Sequence, residues 1–312
     1  MPYVPTKQIL DDANAKYYGV GAFNINNLEF LQAIVAAGEQ ENSPVIVETS
    51  EGAIKYAGKG NIERGVRVFY EMVKNYGDHS KVPVSLHLDH GKDFNYIVAC
   101  IKGGYGSVMI DASDKPFEGN MEATKRIVDI AHAVGVGVEA ELGTLKGIED
   151  NVAAEESILV NTDEAIKFIE MTGVDFLAPA IGTSHGAFKF KGEAKLDFNR
   201  LKTIKDACPI PMVLHGASSV PQDMIALANE YGADIKGAKG VPFETLEESV
   251  KYGVNKVNTD TDLRVTFIAF VRKFLAETPG AIDPRKVFGP AIEAMKDGIA
   301  ARMRCLGSSD KA

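Results

Sequence analysis

Eight short apolar runs, separated by amphipathic stretches, limit what this chain can fold into more than any other feature. The runs are Val20 to Asn24, Pro44 to Thr49, Pro83 to Leu88, Ser107 to Asp111, Val136 to Leu142, Asp175 to Ile181, Pro211 to His215 and Asn255 to Asn258. Helical periodicity fills the gaps, as in Glu29 to Gln40, Phe117 to Val134, Asp163 to Met171, Phe198 to Ala207 and Pro221 to Tyr231. Regular alternation of strand and helix is the mark of a parallel sheet. Eight such units with no polar linker favour an α/β protein closed into a (β/α)8 TIM barrel over two doubly wound halves. The spacing therefore predicts one barrel domain over 1–312, with an active-site loop over about 143–156 and a C-terminal helical extension over about 284–312. In that extension Ile292, Met295, Ile299, Met303 and Leu306 recur at helical spacing, a face that packs either on its own barrel or on another subunit. A hairpin or helical insertion is expected around Lys236 to Val250. An amino-terminal helix capped by Thr6 and stopped by Gly19 is expected before the first strand.

The ends of the runs carry the chemistry, because a barrel draws its catalytic groups from the carboxyl ends of several strands. Here they are consistently polar: Asn24; Glu48, Thr49 and Ser50; Asp89 and His90; Asp111; Glu139 and Glu141; His185; His215; and Asn258 to Asp262. Any one of these reads equally well as a cap on the next helix or turn. Eight together are harder to explain that way. His90, His185 and His215 each stand where an apolar run gives out, each followed by glycine, and three converging imidazoles make a zinc site with an open fourth position. Strand period two puts Glu139 and Glu141 on one face, where buried carboxylates require a cation or donors. A metal is the simplest compensation, with Asp111 orienting a ligand histidine or binding in a second position. Asp89 adjoins a ligand and is the natural acid/base. His87, two residues deeper, reads as a satisfied core histidine or as one that supports a ligand from behind, and His79 and His132 as surface residues of a loop and a helix.

Gly186 and Lys189 follow His185, and Gly216 and Ser218 follow His215, an arrangement of close backbone donors and positive charge that suits phosphate. The loop Gly143 to Asn151 is rich in glycine and polar residues and is expected to move, with a carboxylate able to close over substrate, although a solvated acid is the plainer reading. Gly19-Val20-Gly21 lacks the third glycine of a dinucleotide fingerprint, and Gly237 to Gly240 is not a Walker loop.

A net charge of −9 argues against a general nucleic-acid binder. No apolar run is long enough to span a bilayer, and the first residues lack a signal-peptide layout, so a cytoplasmic protein is expected. Cys100, Cys208 and Cys305 are widely spaced and read as small apolar residues.

Seven segments in order are together similar to the class II, zinc-dependent fructose-1,6-bisphosphate aldolases, over essentially the whole chain. They are Gly21 to Asn24, Leu86 to Gly91, Ser107 to Ser113, Val138 to Gly143, Gly182 to Gly186, Leu214 to Ser218 and Asn258 to Asp262. The resemblance implies that His90, His185 and His215 bind a catalytic zinc ion, with Asp111 and Glu141 near a second or alternative divalent-metal position. It makes Asp89 the acid/base at the C4 hydroxyl and Glu149 the mobile-loop glutamate that handles the proton at C3 of dihydroxyacetone phosphate. Where some relatives carry two consecutive acids in that loop, this chain has Ile148 first, so only Glu149 inherits the role. Gly186, Lys189, Gly216, Ser218, Asp260 and Thr261 resemble the phosphate pocket, where relatives also hold a monovalent cation (Na+ or K+). Asn24, Ser50 and Asn258 complete the substrate site. Arg285, in Asp283-Pro284-Arg285, matches an arginine that reaches across a dimer interface to the second phosphate, implying a homodimer or a dimer-based homotetramer. On sequence alone it is an exposed basic residue in a turn.

The implied activity is reversible cleavage of fructose 1,6-bisphosphate to dihydroxyacetone phosphate and glyceraldehyde 3-phosphate. The alternative is a tagatose-1,6-bisphosphate aldolase, which shares the histidines and the chemistry. Asn258 to Asp262 favours the fructose enzyme, since the tagatose enzymes commonly replace the first aspartate of that motif. A barrel zinc hydrolase would open with a His-x-His pair, and Phe23-Asn24-Ile25 has none. A metal-stabilised scaffold would close its site without leaving an acid beside it.

Overall fold

The computed structural model describes residues 3–144, 147–149, 152–154, 158–184 and 196–312, with 147–149 and 152–154 given as backbone. The strands are β1 (Val20–Asn24), β2 (Val45–Ser50), β3 (Val84–Gly91), β4 (Ser107–Ile110), β5 (Gly137–Leu142), β6 (Gly147–Glu149), β7 (Val152–Ala154), β8 (Phe176–Pro179), β9 (Met212–Leu214) and β10 (Val254–Thr259). Eight of them close a barrel in the order β1-β10-β9-β8-β5-β4-β3-β2, while β6 and β7 form a separate antiparallel pair after β5. The barrel pairs are parallel, and Val20 opposite Lys256 and Ala22 opposite Asn258 join its first and last strands. Each of the eight expected strands is present, most shifted by one or two residues at their ends. β3 runs three residues beyond Leu88, and those residues carry Asp89 and His90.

Period two divides each barrel strand between two interiors. Outward side chains such as Val47, Leu86, Leu88, Val108, Val138 and Ala140 form the main core against the surrounding helices. Inward side chains change character along the barrel. At the amino-terminal mouth Val20, Ala22, Ile46, Phe176, Ala178 and Val213 cluster with Ile9, Leu10 and Ala13 of helix Thr6–Lys16, which plugs that end. One layer higher the inward residues are Glu48, His87, Glu139 and Lys256, all fully buried. At the carboxyl mouth they are Asn24, Ser50, Asp89, Glu141 and Asn258.

Thr6 does not cap the first helix. Pro5 holds the cap position, and the Thr6 hydroxyl hydrogen-bonds Ser85 at 2.7 Å and Ser107 at 2.6 Å, fastening the plug to β3 and β4. Tyr17, in the left-handed conformation, ends that helix, while Gly19 donates to Leu306 at 2.9 Å where a Cβ would meet Val250. The insertion before β10 contains helix Phe243–Lys251. In the last helix, Pro284–Leu306, Met295, Ile299, Met303 and Leu306 join the main core, so that face packs on its own barrel. His79 closes helix Ile62–His79 rather than lying in a loop. Cys100 and Cys208 are buried, and Cys305 is half-buried with its thiol on the Phe243 carbonyl at 3.2 Å. Among the described residues no helix is long and apolar enough to cross a membrane.

Candidate active site

The carboxyl end of β3 positions the centre of the site. Consecutive strand residues face opposite ways, so Asp89 and His90 reach one pocket only if the backbone breaks its pleat between them. It does so at His90, whose φ is 46°, with the β3–β4 register interrupted between Leu88 and Gly91. A bulge of this kind re-aims a side chain. Gly91 is required by the close approach of β4, since a Cβ there would lie 2.4 Å from the Met109 carbonyl oxygen.

Asp89 is gripped by two amides, receiving Asn24 Nδ2 and Asn258 Nδ2 at 2.9 Å each. Both nearby histidines are oriented by carboxylates. His90 Nδ1 lies 3.1 Å from Asp111, and His215 Nε2 lies 2.7 Å from Glu139. Their other nitrogens, His90 Nε2 and His215 Nδ1, therefore meet at 2.9 Å. Glu141 Oε2, 3.4 Å from His215 Nδ1, is buried and has no hydrogen-bond partner among the described residues. Ligand atoms of Asp89, His90 and His215, and again of His90, Asp111 and Glu141, lie within 4.8 Å of one another. Two imidazoles, each turned by a carboxylate on its far nitrogen, with an unpartnered carboxylate oxygen beside them, suit a divalent metal such as zinc.

The electrostatics make the same demand. Burial by itself would lower the pKa of His90, but Asp89, Asp111 and Glu141 raise it well above the usual imidazole range. His215 is held low by burial and by the neighbouring charge of His90. Burial and the nearby Asp111 push Glu141 well above the usual carboxylate range. Asp89 and Asp111 are both held low against the effect of burial, Asp89 chiefly by His90 and His215, and Asp111 by its hydrogen bond to His90. Two committed anions face a pocket that is short of positive charge, which a proton on His90 or a metal cation would supply.

The cation or donor that Glu139 requires is supplied by a lysine and not by the metal that is the simplest compensation on sequence. Lys256 lies 2.9 Å from Glu139 and 2.7 Å from Glu48, and donates to Asn258 Oδ1 at 2.8 Å. Glu139 is kept low despite burial, chiefly by Lys256, whereas burial lifts Glu48 well above its usual range. His87 fills the remaining corner, bonded to Ser107 at 2.6 Å, and burial together with Lys256 depresses it to about 3. It is a neutral core residue but not the satisfied one expected, since its Nε2 is buried without a hydrogen-bond partner among the described residues. Only its place two residues before Asn258 on the same strand face marks Lys256 in the sequence. On sequence Glu48 is a polar strand end and nothing more.

The other expected site residues are distributed as follows. Ser50 ends β2 opposite Asp89 and caps helix Glu51–Gly58. Gly216 has φ 59°, and Ser218 Oγ accepts the Asp260 N–H at 3.3 Å. Asp260 precedes helix Thr261–Glu277, pairs with Arg264 at 2.7 Å, and is followed by Thr261 as the first helical residue. His185, Gly186 and Lys189 lie outside the described residues. For Glu149 only the backbone, in β6, is described. Arg285 is not brought to the barrel mouth. Its side chain is 90% exposed and pairs with Asp283, the cap of its own helix, at 3.0 Å.

Comparison with known proteins agrees with this geometry. The family model described as "Fructose-bisphosphate aldolase class-II" matches residues 4–311. The chain is 53% identical over 310 residues to a fructose-bisphosphate aldolase of Helicobacter pylori, covering 99% of each. It is 48% identical over 307 residues to that of Thermus caldophilus, covering 98% of each. The crystal structure of the YdjI aldolase from Escherichia coli K12 superposes with a TM-score of 0.78 at 28% identity over 99% of both chains. That of the Campylobacter jejuni fructose-bisphosphate aldolase gives 0.75 at 24% identity over 98% of this chain and 95% of its own, a likeness of fold. A match running from the first barrel-plugging helix to the last residues, over a site with this donor set, leaves one conclusion: the chain belongs to the class II fructose-bisphosphate aldolase family.

Proposed function

We infer that this chain catalyses the reversible aldol cleavage of D-fructose 1,6-bisphosphate to dihydroxyacetone phosphate and D-glyceraldehyde 3-phosphate, with zinc as its resident metal. The observation that carries the reading is the meeting of His90 and His215 next to a carboxylate, Asp89, fixed by two amides. His90 and His215, joined by His185, would hold the metal, with Asp111 and Glu141 placed for a second divalent ion. When bound there, the metal supplies Lewis-acid polarisation of the substrate's carbonyl end.

The protein's own residues move the protons. Asp89, held as an anion, takes the proton of the C4 hydroxyl while the C3–C4 bond breaks and its electron pair stays with C3. Asn24 and Asn258 occupy one oxygen each and so fix the direction of that transfer. Glu149, from the loop over about 143–156, then gives C3 a proton. Gly186, Lys189, Gly216, Ser218, Asp260 and Thr261 hold the phosphate of the dihydroxyacetone end, with Na+ or K+ beside it, and Ser50 borders the pocket from β2. Arg285 serves the second phosphate from a neighbouring subunit of a homodimer or dimer-based homotetramer. The whole of 1–312 acts as one barrel unit in cytoplasmic glycolysis and gluconeogenesis, without nucleic-acid or membrane partners.

The deciding experiment is a cleavage assay on fructose and tagatose 1,6-bisphosphates with and without chelator. The expected outcome is preference for the fructose epimer, loss of activity on chelation, recovery with zinc or cobalt, and indifference to borohydride in the presence of dihydroxyacetone phosphate. Borohydride inactivation dependent on that triose would mean a lysine imine and would end the proposal.

A further inference from the structure

The segment after β9 runs from His215 through Gly216, Ala217, Ser218 and Ser219 to Val220, and a distant ion pair holds it from behind. Arg302, on the last helix, is 2% exposed and reaches this segment from more than eighty positions away. Its guanidinium pairs with Asp262, donates to Ser219 Oγ at 3.0 Å, and donates to the Ala217 carbonyl at 3.4 Å. Asp262 in turn receives the backbone N–H groups of Ser219 at 3.0 Å and Val220 at 2.7 Å. Val220 has φ 51°, a conformation that a β-branched residue keeps only when its surroundings impose it. On the other side Val241 donates to the Ser218 carbonyl at 3.0 Å, and a Cβ on Gly240 would lie 2.2 Å from the same oxygen.

These contacts have a directional consequence. In a trans peptide the carbonyl and the following N–H point opposite ways. Arg302, by holding the Ala217 carbonyl on the side of the last helix, turns the Ser218 N–H away from that helix. Among the described residues nothing accepts from that N–H. A loop that binds an anion through backbone donors must have its carbonyls drawn aside beforehand, since one carbonyl turned inward would repel the anion. A flexible loop would lose that ordering entropy at each binding event. Arginine suits the task because its fork serves three acceptors in fixed geometry, whereas a lysine ammonium is a single point.

We infer that Arg302, through Asp262, is a positioning residue that presets the Gly216 to Val220 loop for the substrate's phosphate, tying the last helix to substrate affinity. The inference rests on the reading of Gly216 and Ser218 as phosphate ligands, and the test separates the two. Steady-state kinetics with fructose 1,6-bisphosphate, binding of inorganic phosphate and metal content are measured for Arg302→Lys and Arg302→Met. Arg302→Lys, which keeps the charge beside Asp262, is expected to raise KM and weaken phosphate binding about tenfold, with kcat within about threefold and metal content unchanged. Arg302→Met is expected to do the same more strongly. If inorganic phosphate leaves exchange of the Gly216 and Ser218 amides unchanged in the unmutated enzyme, the phosphate assignment itself fails. If phosphate protects those amides while folded Arg302→Lys binds phosphate as tightly as the unmutated enzyme, the positioning role is overturned. Hydrogen exchange on the unmutated enzyme guards against variants that do not fold. The Ser219 and Val220 amides are expected to be protected with or without inorganic phosphate, and protection appearing only with phosphate would show that the loop is not preset.

Discussion

Asn258 donates to Asp89 at 2.9 Å across the barrel mouth, joining β10 to β3, and the same asparagine receives Lys256 at 2.8 Å from the layer below. The proton-transfer group and the charged floor of the barrel are thus linked by one amide. A change in either is expected to reach the other.

Asp89→Asn keeps the shape of the side chain and removes its basicity. The expected outcome is a fall in kcat of about 10²- to 10⁴-fold with metal content per subunit unchanged. Since Asp89 also lies among atoms able to ligate with His90 and His215, metal analysis of the purified variant decides its role. A metal-free protein would make Asp89 a ligand rather than a base.

Lys256→Met leaves Glu48 and Glu139 facing each other in the dry barrel interior, where removing one partner of a buried charge cluster costs about 3–5 kcal/mol. Urea unfolding should show that loss. The double variant Lys256→Met with Glu48→Gln should regain part of it, because one uncompensated carboxylate is gone. No recovery would mean that Glu48 is already neutral in the single variant, where burial raises its pKa and Lys256 no longer lowers it.

Lys205 gives a pH signature away from the metal. Its amine donates to Ile210 O at 2.7 Å and Asn255 Oδ1 at 2.8 Å, and burial lowers its pKa to about 8. The unfolded chain holds that proton up to the ordinary lysine range, about 10.4. Between about 8 and that value the unfolded state binds more protons than the native state, so this residue makes stability rise with pH across the window. Comparing Lys205→Met with the unmutated protein in urea from pH 7.5 to 10 should show the rise disappear in the variant. Parallel curves would mean that Lys205 keeps its usual pKa.

Among the described residues Arg285 bonds to Asp283, its own helix cap. Arg285→Ala is expected to raise KM for fructose 1,6-bisphosphate while leaving proton exchange on dihydroxyacetone phosphate nearly intact. Mixing it with Asp89→Ala subunits should restore activity, since each mixed dimer holds one site with both residues native. A mixture that stays inactive after proven subunit exchange would place Arg285 outside the neighbouring site.

The barrel and the ring of polar strand ends were legible in the sequence, because both are local. Period two and turn residues mark each strand, and the residue at which apolar character stops is visible one strand at a time. His90, Asp89, Asp111, Glu141 and Asn258 came from that reading. Lys256 as the partner of Glu139 did not, nor did Thr6 as a fastener or Arg302 behind the phosphate loop. Which carboxylate meets which cation inside a barrel depends on register and on closure of β1 against β10, and those fix contacts between residues more than a hundred positions apart. The left-handed turn at His90 belongs to the same class. It adjoins Gly91, where β4 approaches too closely for a Cβ, a packing constraint that no pattern along β3 records. The sequence by itself determined the eight barrel strands, their succession along the chain and the polar residues at their ends. Tertiary structure alone decided the pairing of the buried charges and the aim of the side chains, because both follow from distances set by the closed sheet.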